Sequence, residues 1–204
     1  MTINKTSQSL KPAVFAEALN LGRLSGVARD VLLVLGGALL VGALAQLSIP
    51  IGPVPVTGQT LGVLLVGAAL GAKRGATSLA TYLVLGLAGV PWFANFTGGP
   101  AALLKPSFGF ILGFVFVAAL VGVGAERGWD RQLPTAFALY FGASVVLYVF
   151  GLTYLWAALA YAGKTLSLGT LLQVGLVPFI PGDLLKTAIA AGLSPLAWKL
   201  VNRG

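Results

Sequence analysis

The sequence predicts an all-α integral membrane protein, a bundle of six transmembrane helices, and three observations carry that reading. Of the 204 residues, 57% are apolar and only 9% charged, and mean hydropathy is +0.94. The charges fall into short groups separated by uncharged runs: Val31 to Ala72, Gly75 to Leu104, Pro106 to Ala125, Gln132 to Gly163 and Thr165 to Gly182. A helix needs about 20 residues to cross roughly 30 Å of hydrocarbon, so the longest runs hold more than one span or carry loops at membrane depth. Finally, 28 Gly and 11 Pro interrupt the runs too often for straight rods alone.

Residues 1–30 read as a cytoplasmic amino-terminal tail. Within it Val14, Ala18, Leu21 and Leu24 recur every three or four residues with Glu17, Asn20 and Arg23 interleaved. That spacing fits a helix lying along the inner membrane surface, and a solvated tail fits it as well. Because the first long apolar run begins only at Val31, it reads as an uncleaved span rather than a secretory signal. Residues 31–204 form a single transmembrane domain, with spans near 31–50, 57–72, 75–94, 106–125, 133–161 and 182–200. The stretch 133–161 is long enough for a tilted helix or for one span plus a surface turn. Leu168 to Val177 fits a short outer helix or the start of the last span.

Six spans place both termini on one side. A cytoplasmic amino terminus puts Lys5, Lys11, Arg23, Arg29, Lys73, Arg74, Arg127, Arg131, Lys199 and Arg203 inside and only Lys105 and Lys164 outside, with Lys186 in the membrane. Basic residues mark cytoplasmic loops, so both termini are cytoplasmic and the net charge of +8 reports topology rather than nucleic-acid binding. No convincing internal repeat is present.

Glycine spacing speaks to packing. Gly67, Gly71 and Gly75 recur every four residues, Gly109 and Gly113 repeat the interval, and Ala38 and Gly42 make a similar stripe in the first span. Small residues at that spacing let helix backbones approach closely.

Three segments on the outer side carry unusual residues. In the first, residues 49–60, three prolines forbid regular helix, and irregular backbone at membrane depth is tolerated only where protein or an aqueous cavity satisfies it. Thr57 and Gln59 offer a hydroxyl and an amide toward such a cavity, and Thr57 serves equally well as a cap for the second helix. The second segment, residues 90–107, sets Trp92, Phe93, Asn95 and Phe96 beside Gly98 and Gly99, as in a hydrophobic lid with a hinge. Trp92 doubles as an interfacial anchor, and Lys105 either snorkels into headgroups or attracts an anionic solute.

The third segment, residues 178–186, places Asp183 at the start of the last helix as its N-cap and Lys186 on nearly the same face one turn deeper. Buried ion pairs seldom add net stability over apolar replacements, so an intramembrane Asp and Lys point to a ligand first and to self-neutralisation second. Together the three segments make an outward pocket for a small molecule with an apolar body, amide-like groups and a negative charge.

Catalytic constellations are missing. With no Cys and no His the usual zinc, iron-sulfur and haem ligands are absent, so no metal or other cofactor is expected. The chain also has no glycine-rich Walker loop ending in Lys-Ser or Lys-Thr and no paired carboxylates at useful spacing, which counts against an enzyme. Energised uptake would then need another subunit or an ion gradient.

Several motifs in order resemble a known family: Gly52-Pro-Val-Pro-Val-Thr-Gly-Gln-Thr60, Gly67-Ala-Ala-Leu-Gly-Ala-Lys-Arg-Gly75, Tyr82-Leu-Val-Leu-Gly-Leu-Ala-Gly-Val-Pro91, Gly98-Gly99, Pro106-Ser-Phe-Gly109 and Pro181-Gly-Asp-Leu-Leu-Lys186. They resemble the BioY family, the biotin-specific S components of energy-coupling-factor (ECF) transporters. The resemblance runs from about Val31 to Lys186 and implies a six-helix S component in the cell membrane. Such a subunit captures biotin at the outer face and works with a transmembrane coupling protein and two cytoplasmic ATPases. It further implies that Asp183, Lys186, Gln59 and Thr57 hold the substrate, to which Asn95 and Lys105 of the second segment and Tyr82 of the matching motif are added as candidate substrate-binding residues, and it raises the prospect that the Ala38 and Gly42 stripe faces a partner subunit.

In detail, Asp183 would accept from the ureido N–H groups, and Lys186 would donate to the ureido oxygen or fix Asp183. Where some members carry arginine just before the paired glycines, this chain has Thr97, and Lys105 is the cation available for the valerate carboxylate. A solitary biotin facilitator, or an S component for another vitamin, would share the fold; a membrane enzyme or scaffold is the remaining class.

Overall fold

In the computed structural model, which describes residues 13–18 and 25–201, the uncharged runs fold into helices. Their order is α1 (Phe15–Ala18), α2 (Gly26–Ala45), α3 (Gln59–Leu87), α4 (Phe108–Glu126), α5 (Leu133–Tyr161), α6 (Leu168–Gly175) and α7 (Ile180–Val201). Helices α2, α4 and α5, and the stretch containing α6 and α7, are each long and apolar enough to cross a membrane. Helix α5 coincides with the expected span 133–161, and α6 is the short separate helix that the sequence allowed.

Helix α3 holds two spans. Gly71 sits at φ 81° and ψ 178°, a backbone conformation essentially restricted to glycine, and there the chain turns back on itself. Two observations prove the reversal: a Cβ on Gly75 would lie 3.2 Å from the Gly67 Cα, and Gln59 is hydrogen-bonded to Tyr82. Residues that far apart in one straight helix would be separated by about 34 Å. Lys73 and Arg74 follow the apex, so the hairpin points its cations to the end of the bundle shared by Arg29, Arg127, Arg131 and Lys199. The limbs, residues 59–70 and 72–87, supply the second and third of the six spans.

The first limb is only about 18 Å long at 1.5 Å per residue, well short of the hydrocarbon thickness. The loop before it, residues 46–58, therefore completes that span with irregular backbone. A two-residue antiparallel hairpin, β1 (Ser48–Ile49) against β2 (Val56–Thr57), pairs part of this backbone.

Helices α2, α3 and α4 lie side by side, and α5 and α7 close the bundle against α4 and α3. The core runs through Leu64, Tyr82, Phe108, Val117, Val121 and Tyr140, each at most 1% exposed. Gly109 and Gly113 of α4 admit Tyr154 and Phe150 of α5, as the four-residue interval suggested.

Two expectations change. Ala38 and Gly42 face inward rather than toward a partner subunit: Ala38 is fully buried, and Gly42 is the floor on which Trp92 lies, at 3.0 Å from where a Cβ would sit. Trp92 is likewise no interfacial anchor, since it is 9% exposed and its indole N–H donates to the Tyr82 carbonyl at 2.9 Å. The described part of the amino-terminal stretch packs against the bundle, with Val14 and Ala16 buried and α1 against α3 and α7. Asn20, Leu21, Arg23 and Leu24, like Lys5, Lys11 and Arg203, lie outside the described residues.

At the basic end, Asp30 pairs with Arg74 at 2.8 Å and Glu126 accepts from the Ala72 N–H at 2.8 Å, capping the second limb of the hairpin. Asp130, in the turn between α4 and α5, accepts from the Trp198 indole at 2.8 Å, while its other oxygen is buried and receives no side-chain hydrogen bond among the described residues. Burial pushes the Asp130 carboxyl above its ordinary 3.8, against the opposing pulls of the Trp198 N–H, a backbone N–H and the Arg131 charge. The folded chain thus holds this proton more tightly than the unfolded chain. The stability it contributes is complete below the unfolded value and is lost as pH rises through the raised folded one. Melting curves of wild type and Asp130→Asn should therefore diverge in favour of the variant as pH rises from about 4 to 7; parallel curves would contradict this.

Candidate functional site

At the end opposite the basic turns, the loops after α2 and α3 and the start of α7 enclose a cavity of about 300 Å³. Three prolines, Pro50, Pro53 and Pro55, keep the first loop out of helix and give the cavity one wall. Phe93, Asn95 and Thr97 come from the second loop, and Lys105 and Ser107 from its far end. Phe110 and Phe114 of α4, Leu147 and Tyr148 of α5, and Phe179 before α7 supply an apolar lining. Asp183 and Lys186 complete it.

Six of the seven residues singled out from the sequence, Thr57, Gln59, Asn95, Lys105, Asp183 and Lys186, meet on this one cavity. Tyr82 does not. It is completely buried one layer behind, where its hydroxyl accepts from Gln59 Nε2 at 2.8 Å and donates to the Trp92 carbonyl at 3.1 Å. Its phenol therefore supports Gln59 rather than facing a solute. Thr57 lines the cavity, and its hydroxyl accepts from the Gln59 backbone N–H at 3.3 Å and donates to Gln59 Oε1 at 2.8 Å, although the N-cap position of α3 itself is Gly58.

The ion pair is short and largely enclosed. Lys186 Nζ lies 2.7 Å from Asp183 Oδ1, with both side chains less than 15% exposed. Helix α7 begins at Ile180, so Asp183 lies within its first turn and is not the N-cap expected for it. Pro181 is tolerated there because first-turn N–H groups have no helical acceptor.

The other Asp183 oxygen accepts from the Tyr148 hydroxyl, a partner that sequence reasoning missed. Tyr148 lies in a 29-residue helix with no charge, and a phenol in such a run reads as packing. A buried Tyr needs a hydrogen-bond partner, and that demand was the available signal. Phe110 meets the Tyr148 ring edge-on at 5.9 Å and fixes its direction.

At the other rim, Lys105 Nζ donates to Thr97 Oγ1 at 3.0 Å. The structure thus sets the Lys105 ammonium beside the position preceding the paired glycines. The cavity accordingly presents a carboxylate with two donors at one end, an amide at Asn95, aromatic walls and a cation at the rim. Such an inventory suits a small, partly apolar, anionic molecule bearing amide-like groups.

Comparison with known proteins agrees with this geometry. The BioY family model matches residues 10–203. The biotin transporter BioY of Rhizobium etli is 38% identical over 157 residues, covering 74% of this chain and 81% of that protein. Its counterpart in Thermotoga maritima is 38% identical over 151 residues, covering 72% and 82%. Among solved structures, the crystal structure of the S-component for biotin from an ECF-type ABC transporter superposes with a TM-score of 0.73 at 25% identity, covering 86% of this chain and 95% of that one.

Proposed function

The chain belongs to the BioY family, and on that premise we propose that it is the biotin-capturing S component of an ECF transporter in the cell membrane. One observation carries the reading: residues far apart in sequence, Thr57, Gln59, Asn95, Lys105, Asp183 and Lys186, share a single cavity with a buried ion pair in its wall. Positive loops face the cytoplasm, so the basic end lies inside, both termini are cytoplasmic and the cavity opens outward. Asp183 accepts from the ureido N–H groups. Lys186 holds that carboxylate in place from one side and Tyr148 from the other. The aromatic wall takes the fused rings and the valerate chain, and Lys105 faces the carboxylate. A transmembrane coupling protein and two cytoplasmic ATPases then drive release.

Purified protein should bind radiolabelled biotin without any partner, and reconstituted vesicles should accumulate it only when the ATPase module is present. Absence of binding would overturn the reading, and uptake without the module would make the chain a solitary facilitator.

Lys105 gives a finer test. It is exposed, so its attraction for the ligand carboxylate is screened, and Lys105→Ala should weaken biotin binding by only about fivefold. Biotin amide, which lacks the negative charge, should bind wild type and Lys105→Ala equally. A fivefold loss for both ligands would take Lys105 away from the carboxylate.

A further inference from the structure

The loop that carries Asn95 is held in an unusual shape by a residue on another helix. Asn95 has φ 58° and ψ 42° and Phe96 has φ 52°, so two consecutive side-chain-bearing residues occupy left-handed backbone. Asparagine accepts that conformation readily, whereas phenylalanine does not. Phe93 and Thr97 close the turn beneath them with paired backbone bonds of 2.9 and 3.3 Å.

What fixes the turn is Gln46, at the end of α2. Its Nε2 donates to the Gly42 carbonyl at 2.9 Å and reaches the carbonyls of Trp92 and Phe93, each at 3.3 Å. Its Oε1 accepts from the Phe96 N–H at 2.9 Å. A backbone N–H can only donate and a carbonyl can only accept, so these partners fix which end of the amide faces which. One side chain thus grips the chain before Asn95 and directly after it, while Gly42, one turn earlier, lets Trp92 lie against α2. With the backbone held, the Asn95 amide stands on the cavity rim and makes no hydrogen bond among the described residues.

We infer that Gln46 is a positioning residue for ligand capture: it holds the turn at residues 93–97 in the strained conformation that presents Asn95 to the cavity before the ligand arrives. Ordering that turn in advance removes an entropic cost from binding. This deepens the biotin-binding reading and rests on it.

The test is a double-mutant cycle read by calorimetric biotin titration. Gln46→Met keeps the apolar stem and removes the amide. Gln46→Met and Asn95→Ala should each weaken binding about tenfold, and Gln46→Met added to Asn95→Ala should cost less than about twofold more. A residue that merely supports the bundle would give an additive loss near a hundredfold. In ligand-free protein, Gln46→Met should also accelerate chymotryptic cleavage after Phe96, which is 72% exposed. Gln46→Glu is the second variant. It keeps an acceptor for Phe96 but sets a carboxylate against three carbonyls, and should show the same losses. Wild-type affinity in both Gln46 variants, or additivity with Asn95→Ala, overturns the inference. Failure of wild type to bind biotin instead removes the functional reading beneath it, while the cleavage result still reports on the clamp.

Discussion

In purified protein, Asp183→Asn should lower biotin affinity by at least about a hundredfold, and Lys186→Ala should do nearly the same. The two side chains sit 2.7 Å apart and are 13% and 14% exposed, so neither has much water to fall back on. Taking away one partner leaves the other as an uncompensated charge at membrane depth, which costs about 3–5 kcal/mol in buried pairs. Asp183→Asn also leaves one amide oxygen where two carboxylate oxygens had served Tyr148 and Lys186 separately, and turns an NH2 donor toward one of those two donors. The two single variants will therefore be less stable as well as weaker binders. The combination Asp183→Asn with Lys186→Met separates the effects. With both charges gone the desolvation penalty disappears, so its melting temperature should return toward wild type while biotin binding stays lost. If the double variant binds biotin with near-native affinity, the pair is structural and the ligand sits elsewhere.

That pair was legible in the sequence because energetic anomalies stand out there: an acid and a base three residues apart in an apolar run carry a desolvation cost that a partner or a ligand must offset. The spans were legible for a related reason, since charges cannot cross hydrocarbon and the gaps between them therefore mark helices such as α5. What failed to show was anything requiring knowledge of direction. Gly67, Gly71 and Gly75 share one four-residue interval, yet Gly71 is a hairpin apex while the other two meet across the turn. Spacing along a chain does not reveal that the chain reverses. Ala38 and Gly42 could be recognised as a stripe for close approach, but whether it met Trp92 or a second protein depended on how α2 is rotated. Tyr82, Tyr148 and Gln46 make the same point for the site. Each is a neutral side chain whose role is defined by what it hydrogen-bonds at long range, with separations of 10 to 50 residues.

Gly122→Ala should lower the melting temperature of the purified protein by about 5–10 °C, the largest effect expected from adding a single methyl group. Gly122 is where α4 crosses the hairpin apex: a Cβ there would lie 2.2 Å from the Ala72 nitrogen and 2.3 Å from the Gly71 carbonyl carbon. Those neighbours are backbone, so they cannot rotate aside, and α4 must shift away from α3. That shift also stretches the 2.8 Å bond by which Glu126 caps the second limb at Ala72. Overpacking of this kind costs about 1–3 kcal/mol, here at the upper end, and each kcal/mol moves a chain of this size by roughly 2–4 °C.

Gly71→Ala should be comparable for a different reason. Its backbone lies at φ 81°, and its added Cβ would come 2.7 Å from Glu126 Oε1, so conformational strain and contact act together. Gly142→Ala is the control, because nothing lies within 4 Å of a Cβ at that point on α5 and alanine favours helix. It should melt at or slightly above wild type. The apex is remote from the ligand, so the Gly122→Ala molecules that remain folded should still bind biotin tightly at low temperature. If Gly122→Ala melts with Gly142→Ala, α4 does not pack on the apex as closely as described.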